Sequence, residues 1–218
     1  MVSEIKLVIF DCDGVLLDSE CMSMQLWQTV LQEVGITLSK AYFVANFLGK
    51  SMQHVEQQVS KDFGLVLTPD MIADYHRRLE QNFTRDLCAT PGIKAILESI
   101  AVPYCLATSS SKERTTHALS CTGLSHYFIE KQFTRSMVNR GKPAPDLFLL
   151  AAKTMGVAPQ NCLVIEDSQA GIEAAKAANM QVAHYIGGSH LDVSNNTDLI
   201  VIRHWRSFSA QFPNLITL

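Results

Sequence analysis

No run of apolar residues in this 218-residue chain approaches the roughly 20 that a membrane-spanning helix requires. The first ten residues also lack the charged start, apolar stretch and cleavage site of a secretory signal, so we expect a cytoplasmic protein. Neither sign of charge dominates: 18 Lys and Arg stand against 21 Asp and Glu, and a net charge of -3 supplies no basic surface for nucleic acid or an anionic membrane. Neither is expected as a partner. The six cysteines, at positions 12, 21, 88, 105, 121 and 162, contain no C-x-x-C pair. Several lie in apolar surroundings, such as Cys105 between Tyr104 and Leu106, and Cys162 ahead of Leu163-Val164-Ile165, where reduced buried thiols reside. With no sign of export, free cysteines are expected rather than disulfides. A hydrophobic fraction of 47% exceeds what a disordered chain carries, and the length allows one large globular domain or two modest ones.

What is present is organised around the first strand. Ile5-Lys6-Leu7-Val8-Ile9-Phe10 is a short aliphatic run ending in Asp11-Cys12-Asp13-Gly14, two carboxylates one residue apart followed by a glycine. Such a run, bounded by polar residues, has the pattern of a strand buried on both faces of a parallel sheet. Ligands of open parallel sheets bind outside the carboxyl ends of the strands, where Asp11 and Asp13 would stand. Paired carboxylates there suit a hard cation such as Mg2+.

Beyond Leu16 the apolar spacing turns helical. It predicts helices over Met22 to Val34, ending at Gly35, then over about Ser39 to Phe47, Ser51 to Phe63 and Asp70 to Arg85, the last begun by Thr68-Pro69-Asp70. No strand pattern interrupts them. Residues 18–87 therefore read as a helical domain inserted into an α/β domain formed by 1–17 and 88–218.

The α/β alternation resumes at Thr90-Pro91-Gly92, with a helix over Ile93 to Ile100 and a strand over Pro103 to Ala107. That strand runs into Thr108-Ser109-Ser110-Ser111 before a helix beginning at Lys112. A hydroxyl cluster at such a junction serves either to cap the helix or to bind phosphate at its free N–H groups. Lys142-Pro143 precedes a helix from Leu147 to Met155, and the proline biases Lys142 towards extended backbone. Cys162 to Ile165 is a further strand ending in acids, Glu166-Asp167, with Ser168 capping a helix over Gly171 to Ala178. Those acids either complement the helix terminus or share a cation with Asp11. Strands over Gln181 to Tyr185 and Leu199 to Ile202, with a loop at Ile186-Gly187-Gly188-Ser189 between them, complete the sheet.

In order and spacing, Asp11-Cys12-Asp13-Gly14-Val15, Thr108-Ser109, Lys142-Pro143 and Glu166-Asp167-Ser168-Gln169-Ala170-Gly171 resemble the haloacid dehalogenase-like hydrolase superfamily, in its branch with β-phosphoglucomutase and the small sugar-phosphate phosphatases. The resemblance implies a doubly wound, Rossmann-like parallel sheet with an inserted helical cap. It implies that Asp11 is the nucleophile that forms an aspartyl-phosphate, and Asp13 the acid and base. Mg2+ would be held by the Asp11 and Asp167 carboxylates and the Asp13 backbone carbonyl, with Glu166 nearby. Thr108, the Ser109 amide and Lys142 would hold the phosphoryl oxygens. The implied partner is a small phosphomonoester, handled by a monomer or weak homo-oligomer. In the inserted segment, Leu48-Gly49-Lys50-Ser51 matches the loop that meets the leaving group, which makes Lys50, with His54 one turn on, candidate substrate contacts. Arg77 and Arg78 read as surface charges. Mutase members carry a histidine where Ser23 stands, so hydrolysis is favoured over phosphoryl return. The alternatives are a β-phosphoglucomutase-like phosphomutase and a non-catalytic binding module, for which the intact acid and lysine set has no use.

Overall fold

The computed structural model describes residues 4–188 and 199–217. Six strands form one sheet: β1 (Leu7–Phe10), β2 (Tyr104–Thr108), β3 (Gln132–Thr134), β4 (Cys162–Glu166), β5 (Gln181–Tyr185) and β6 (Ile200–Ile202). All pair in parallel, in the order β3-β2-β1-β4-β5-β6. The order reverses at β1, so the crevice beyond the ends of β1 and β4 is where a doubly wound sheet binds its ligand.

Alternation along the central strands feeds two cores. Val8, Phe10, Leu106, Leu163 and Ile165 face one side, while Leu7, Ile9, Cys105, Ala107, Cys162 and Val164 face the other. Helices α7 (Asp146–Thr154) and α8 (Gln169–Ala177) cover the second side with Leu147, Phe148, Ala151, Ala174 and Ala175. The alanines let α8 lie close to the strands. On the first side pack α5 (Ile93–Ser99) and α6 (Lys112–Thr122), together with a C-terminal segment containing α9 (Phe208–Gln211).

Four helices intervene between β1 and α5: α1 (Glu20–Gln32), α2 (Lys40–Asn46), α3 (Met52–Phe63) and α4 (Pro69–Asp86). No helix among the described residues is long and apolar enough to cross a membrane. Ser39, Ser51 and Thr68 cap α2, α3 and α4 with their side-chain oxygens, and Pro69 takes the first turn of α4. Trp27 of α1 stacks on Tyr75 of α4 with centroids 4.2 Å apart. The chain leaves and re-enters the sheet region along paired backbone: Asp18 N–H donates to the Cys88 carbonyl and Thr90 N–H to the Leu16 carbonyl.

The expected architecture is present, with boundary shifts of one or two residues. The strand expected from Ile5 starts at Leu7. The helix expected from Met22 starts at Glu20, and the Ser19 hydroxyl before it caps nothing. Strand β3 was not anticipated: three residues with one apolar side chain in the core give no periodicity to read. Ile186 to Gly188 form the expected loop; Ser189 lies outside the described residues. All six cysteines are free, and Cys12, Cys105 and Cys162 are buried.

Trp205 locks the C-terminal segment to this frame. Its ring is fully buried, stacks on Tyr185 at 4.6 Å and meets the edge of Phe10 at 5.9 Å, and its indole N–H donates to Thr90 Oγ1 at 2.8 Å. Trp205→Ala is expected to cost about 3–5 kcal/mol in urea-induced unfolding. A loss below about 1 kcal/mol would show that the segment contributes little to the fold.

Candidate active site

The register of the central strands builds the site. Phe10 pairs with both Leu106 and Ile165, and the Asp11 N–H donates to the Ile165 carbonyl at 2.9 Å. Asp11 therefore emerges beside Glu166, with Thr108 at the end of the neighbouring strand. Gly14, at φ +82°, turns the chain back immediately afterwards.

Lys142 reaches the same edge from the loop ahead of α7. Its ammonium group is almost wholly buried and donates to Asp11 Oδ1 at 2.5 Å, Glu166 Oε1 at 2.6 Å and the Ala107 carbonyl at 3.0 Å. Burial alone would lower the affinity of this lysine for its proton; the Asp11 and Glu166 carboxylates outweigh it and hold the pKa above the ordinary value. The other Glu166 oxygen accepts from the Ser168 N–H at 2.8 Å and the Ser168 hydroxyl at 3.0 Å. The Ser168 oxygen in turn accepts from the Gly171 N–H, capping α8. A Cβ at Gly171 would overlap the Glu166 carboxylate, so a glycine is required beneath it.

Carboxylate oxygens of Asp11, Glu166 and Asp167, all buried, lie within 4.8 Å of one another. Burial raises the pKa of Asp11 well above the carboxylate range, and Glu166 and Asp167 add to the rise against the pull of Lys142. Asp167 is raised by burial and by Glu166. Three buried carboxylates gathered in this span, two of them with the proton favoured, form an oxygen donor set that fits a divalent cation.

Asp13, two residues from Asp11, points elsewhere. It accepts from the Ser19 hydroxyl at 2.6 Å, the Ser110 hydroxyl at 2.6 Å and the Arg114 guanidinium at 3.0 Å. Burial would raise its pKa, but Arg114 and the two hydroxyls prevail and the pKa is lowered. The hydroxyl cluster thus divides its labour. Ser111 caps α6, Thr108 Oγ1 accepts from the Ser110 N–H, Ser110 holds Asp13, and Ser109 lines the cavity.

A cavity of about 470 Å³ opens over these groups, lined on one side by the sheet edge and on the other by α1 to α4. Lys50 lines it; His54 does not, because Met52 and Val55 take the inward face of the first turn of α3. Gly49, at φ +68°, brings this loop against the acid loop so closely that a Cβ would lie 2.6 Å from Ser168 Cβ and Oγ. Ser23 lines the cavity and shares a hydrogen bond of 2.8 Å with the Tyr75 hydroxyl. Arg77 is exposed and pairs with Asp74, whereas Arg78 is partly buried and pairs with both Asp74 and Glu33. Reading the sequence missed Ser19 and Arg114. Ser19 stands just ahead of α1 and Arg114 in the first turn of α6, positions with no local mark of a partner at Asp13.

A family model described as haloacid dehalogenase-like hydrolase matches residues 5–179. The chain belongs to that family. The hydrolase is 32% identical over 190 residues to a 6-phosphogluconate phosphatase of Escherichia coli, covering 87% of this chain and 86% of that one. It is 31% identical over 175 residues to a fructose-1-phosphate phosphatase of the same organism, covering 79% and 92%. Among solved structures, a conserved haloacid dehalogenase-like protein of unknown function from Agrobacterium tumefaciens superposes with a TM-score of 0.84 at 30% identity, covering 96% and 98%.

The acid cluster carries a measurable cost. Asp11 and Asp167 hold protons more tightly folded than unfolded. Their contribution to stability is therefore complete below the ordinary aspartate value of 3.8 and is lost as pH rises through their raised values. Asp167→Asn removes one repelling charge. Since about 1 kcal/mol corresponds to roughly 2–4 °C in a chain of this size, the variant is expected to melt about 2–4 °C above the parent in chelator at about pH 8. Its stability should also fall less steeply with rising pH. An equal or lower melting temperature in chelator would contradict the assigned repulsion.

Proposed function

We propose that this hydrolase is a Mg2+-dependent phosphatase of small phosphorylated metabolites, sugar phosphates or phosphorylated sugar acids, acting in the cytoplasm through an aspartyl-phosphate on Asp11. The observation that carries the reading is the separation of two acids on one loop. Asp11 faces Lys142 and the acid cluster, while Asp13 is held by Ser19, Ser110 and Arg114. Nucleophile and proton carrier need such unlike surroundings.

The substrate's phosphoryl group would sit over Asp11, with Thr108, the Ser109 N–H and Lys142 holding its oxygens. Asp11 attacks phosphorus; the Asp11–phosphorus bond forms as the bond to the leaving alkoxide breaks. Asp13 gives the alkoxide a proton, and then, as base, takes one from the water that cleaves the intermediate. Its three donors favour the carboxylate in the unliganded chain. The arriving phosphate dianion adds negative charge beside it and favours the protonated form needed first. The Asp11 and Asp167 carboxylates and the Asp13 carbonyl would hold Mg2+, with Glu166 behind them. Its positive charge offsets the repulsion between a carboxylate and a phosphate dianion.

We take residues 18–87 as a cap over a core of 1–17 and 88–218, closing through Gly49 against Ser168, with Lys50 as a contact to the leaving group. The cavity is of a size that accepts a sugar phosphate. The relatives named for 6-phosphogluconate and fructose 1-phosphate support the same class. Hydrolysis is preferred over phosphoryl return to a second hydroxyl, because the Ser23 hydroxyl is engaged with Tyr75 and offers no base where mutases carry a histidine.

The test is phosphate release from a panel of sugar phosphates, phosphorylated sugar acids and nucleotides. Release is expected to require Mg2+, to cease in chelator and to fall by roughly 10^3-fold or more in Asp11→Asn. Comparable release from Asp11→Asn, or release indifferent to chelator, would overturn the proposal.

A further inference from the structure

Of the three groups that hold Asp13, Ser110 belongs to the hydroxyl cluster after β2 and Ser19 stands just ahead of α1. The third lies on α6. Arg114 stands in the first turn of α6, and its guanidinium does two things at once. One terminal nitrogen donates to Asp13 Oδ1 at 3.0 Å, while the group's carbon lies 5.3 Å from the centroid of the Phe83 ring. Phe83 belongs to α4 of the helical insertion and is 1% exposed. Helices α4 and α6 pack against each other, and Thr84 Oγ1, on the residue after Phe83, lies 3.1 Å from His117 Nε2, one turn on from Arg114. Arg114 Nε is buried and has no hydrogen-bond partner among the described residues, while the guanidinium lies between the Phe83 ring and the Asp13 carboxylate.

We propose that Arg114 is a positioning residue for proton transfer: seated on Phe83, it fixes the Asp13 carboxyl group for the leaving-group oxygen, so that Asp13 is aligned only while α4 is docked on α6. This inference rests on the reading of Asp13 as the general acid. A guanidinium suits the task because its plane lies over a ring while its edge directs N–H groups at a carboxylate. A lysine supplies charge at a point and fixes no direction. The arrangement ties the acid to the helical insertion through a contact that lies outside the cleft motifs.

A purely structural ion pair and a positioning residue differ in what they do to leaving groups. 4-Nitrophenolate departs without a proton, whereas the more basic phenolate is helped by one. Misplacing the acid therefore slows phenyl phosphate more than 4-nitrophenyl phosphate, while general disorder of the site slows both alike. The experiment is single-turnover phenol release from both esters in Mg2+, so that cleavage of the intermediate does not limit the rate. Arg114→Met is expected to slow phenyl phosphate roughly ten-fold more than 4-nitrophenyl phosphate. Arg114→Lys should recover part of that difference. Phe83→Leu, which keeps apolar packing and removes the ring, should show a smaller difference of the same sign, and it carries the test should Arg114→Met not fold.

Asp13→Asn serves as the reference. If Asp13→Asn discriminates between the esters and neither Arg114→Met nor Phe83→Leu does, the positioning role is overturned and the acid role stands. If Asp13→Asn itself slows both esters equally, the assignment of Asp13 as acid fails, and the positioning role with it.

Discussion

The interaction on which the rest of the site depends is the burial of one ammonium group, that of Lys142, between Asp11 and Glu166. A carboxylate cluster at the edge of a buried sheet is unfavourable unless positive charge is fixed nearby. Lys142 supplies it, donating in the unliganded chain to Asp11, Glu166 and the Ala107 carbonyl, with the Phe148 ring 4.8 Å from its nitrogen. Much of the neighbouring sequence follows from making room for this arrangement. Gly171 clears the space that Glu166 occupies, and Ser168 satisfies both Glu166 and the first turn of α8. The parallel register of β1 and β4 brings Asp11 and Glu166 to the same edge.

The compensation is incomplete by design of the cluster, and that incompleteness gives the two aspartates of the first loop different characters. Asp11 lies on the crowded acidic side, where burial and its neighbours favour the proton. Asp13 lies on the side of Arg114, Ser19 and Ser110, where it is kept charged. One strand end thus delivers a group awaiting positive charge and a group already supplied with it. The first suits attack on a phosphate whose repulsion a cation relieves; the second suits moving a proton at the leaving group.

The sequence was informative wherever a short local pattern dictates a long-range outcome. An aliphatic run ending in Asp11-Cys12-Asp13-Gly14 can hardly be other than a buried strand delivering acids to a sheet edge, and its counterpart at Cys162 to Asp167 reads the same way. The helical insertion was legible because apolar spacing and the caps at Ser39, Ser51 and Thr68 agree. What escaped were features whose meaning comes from another part of the chain. β3 has one core side chain, Phe133, and its identity depends on pairing with β2. Ser19 sits where a helix cap belongs, yet its hydroxyl turns to Asp13, a choice that only the folded loop reveals. Arg114 carries no local mark, since its partners lie 101 residues earlier and on α4. His54 was placed by sequence distance from Lys50, and the rotation of α3 put Met52 and Val55 on the cavity wall instead.

The central claim is that phosphorus is transferred twice, first to Asp11 and then to water. The most direct measurement is the stereochemical course at phosphorus, followed with a phosphorothioate ester whose two terminal oxygens are different isotopes, hydrolysed in water of the third isotope so that the inorganic thiophosphate released is chiral. Each in-line displacement inverts the centre, so the account predicts overall retention. Inversion would mean that water attacks the substrate directly, and Asp11 would then have to be reassigned from nucleophile to a group that only binds.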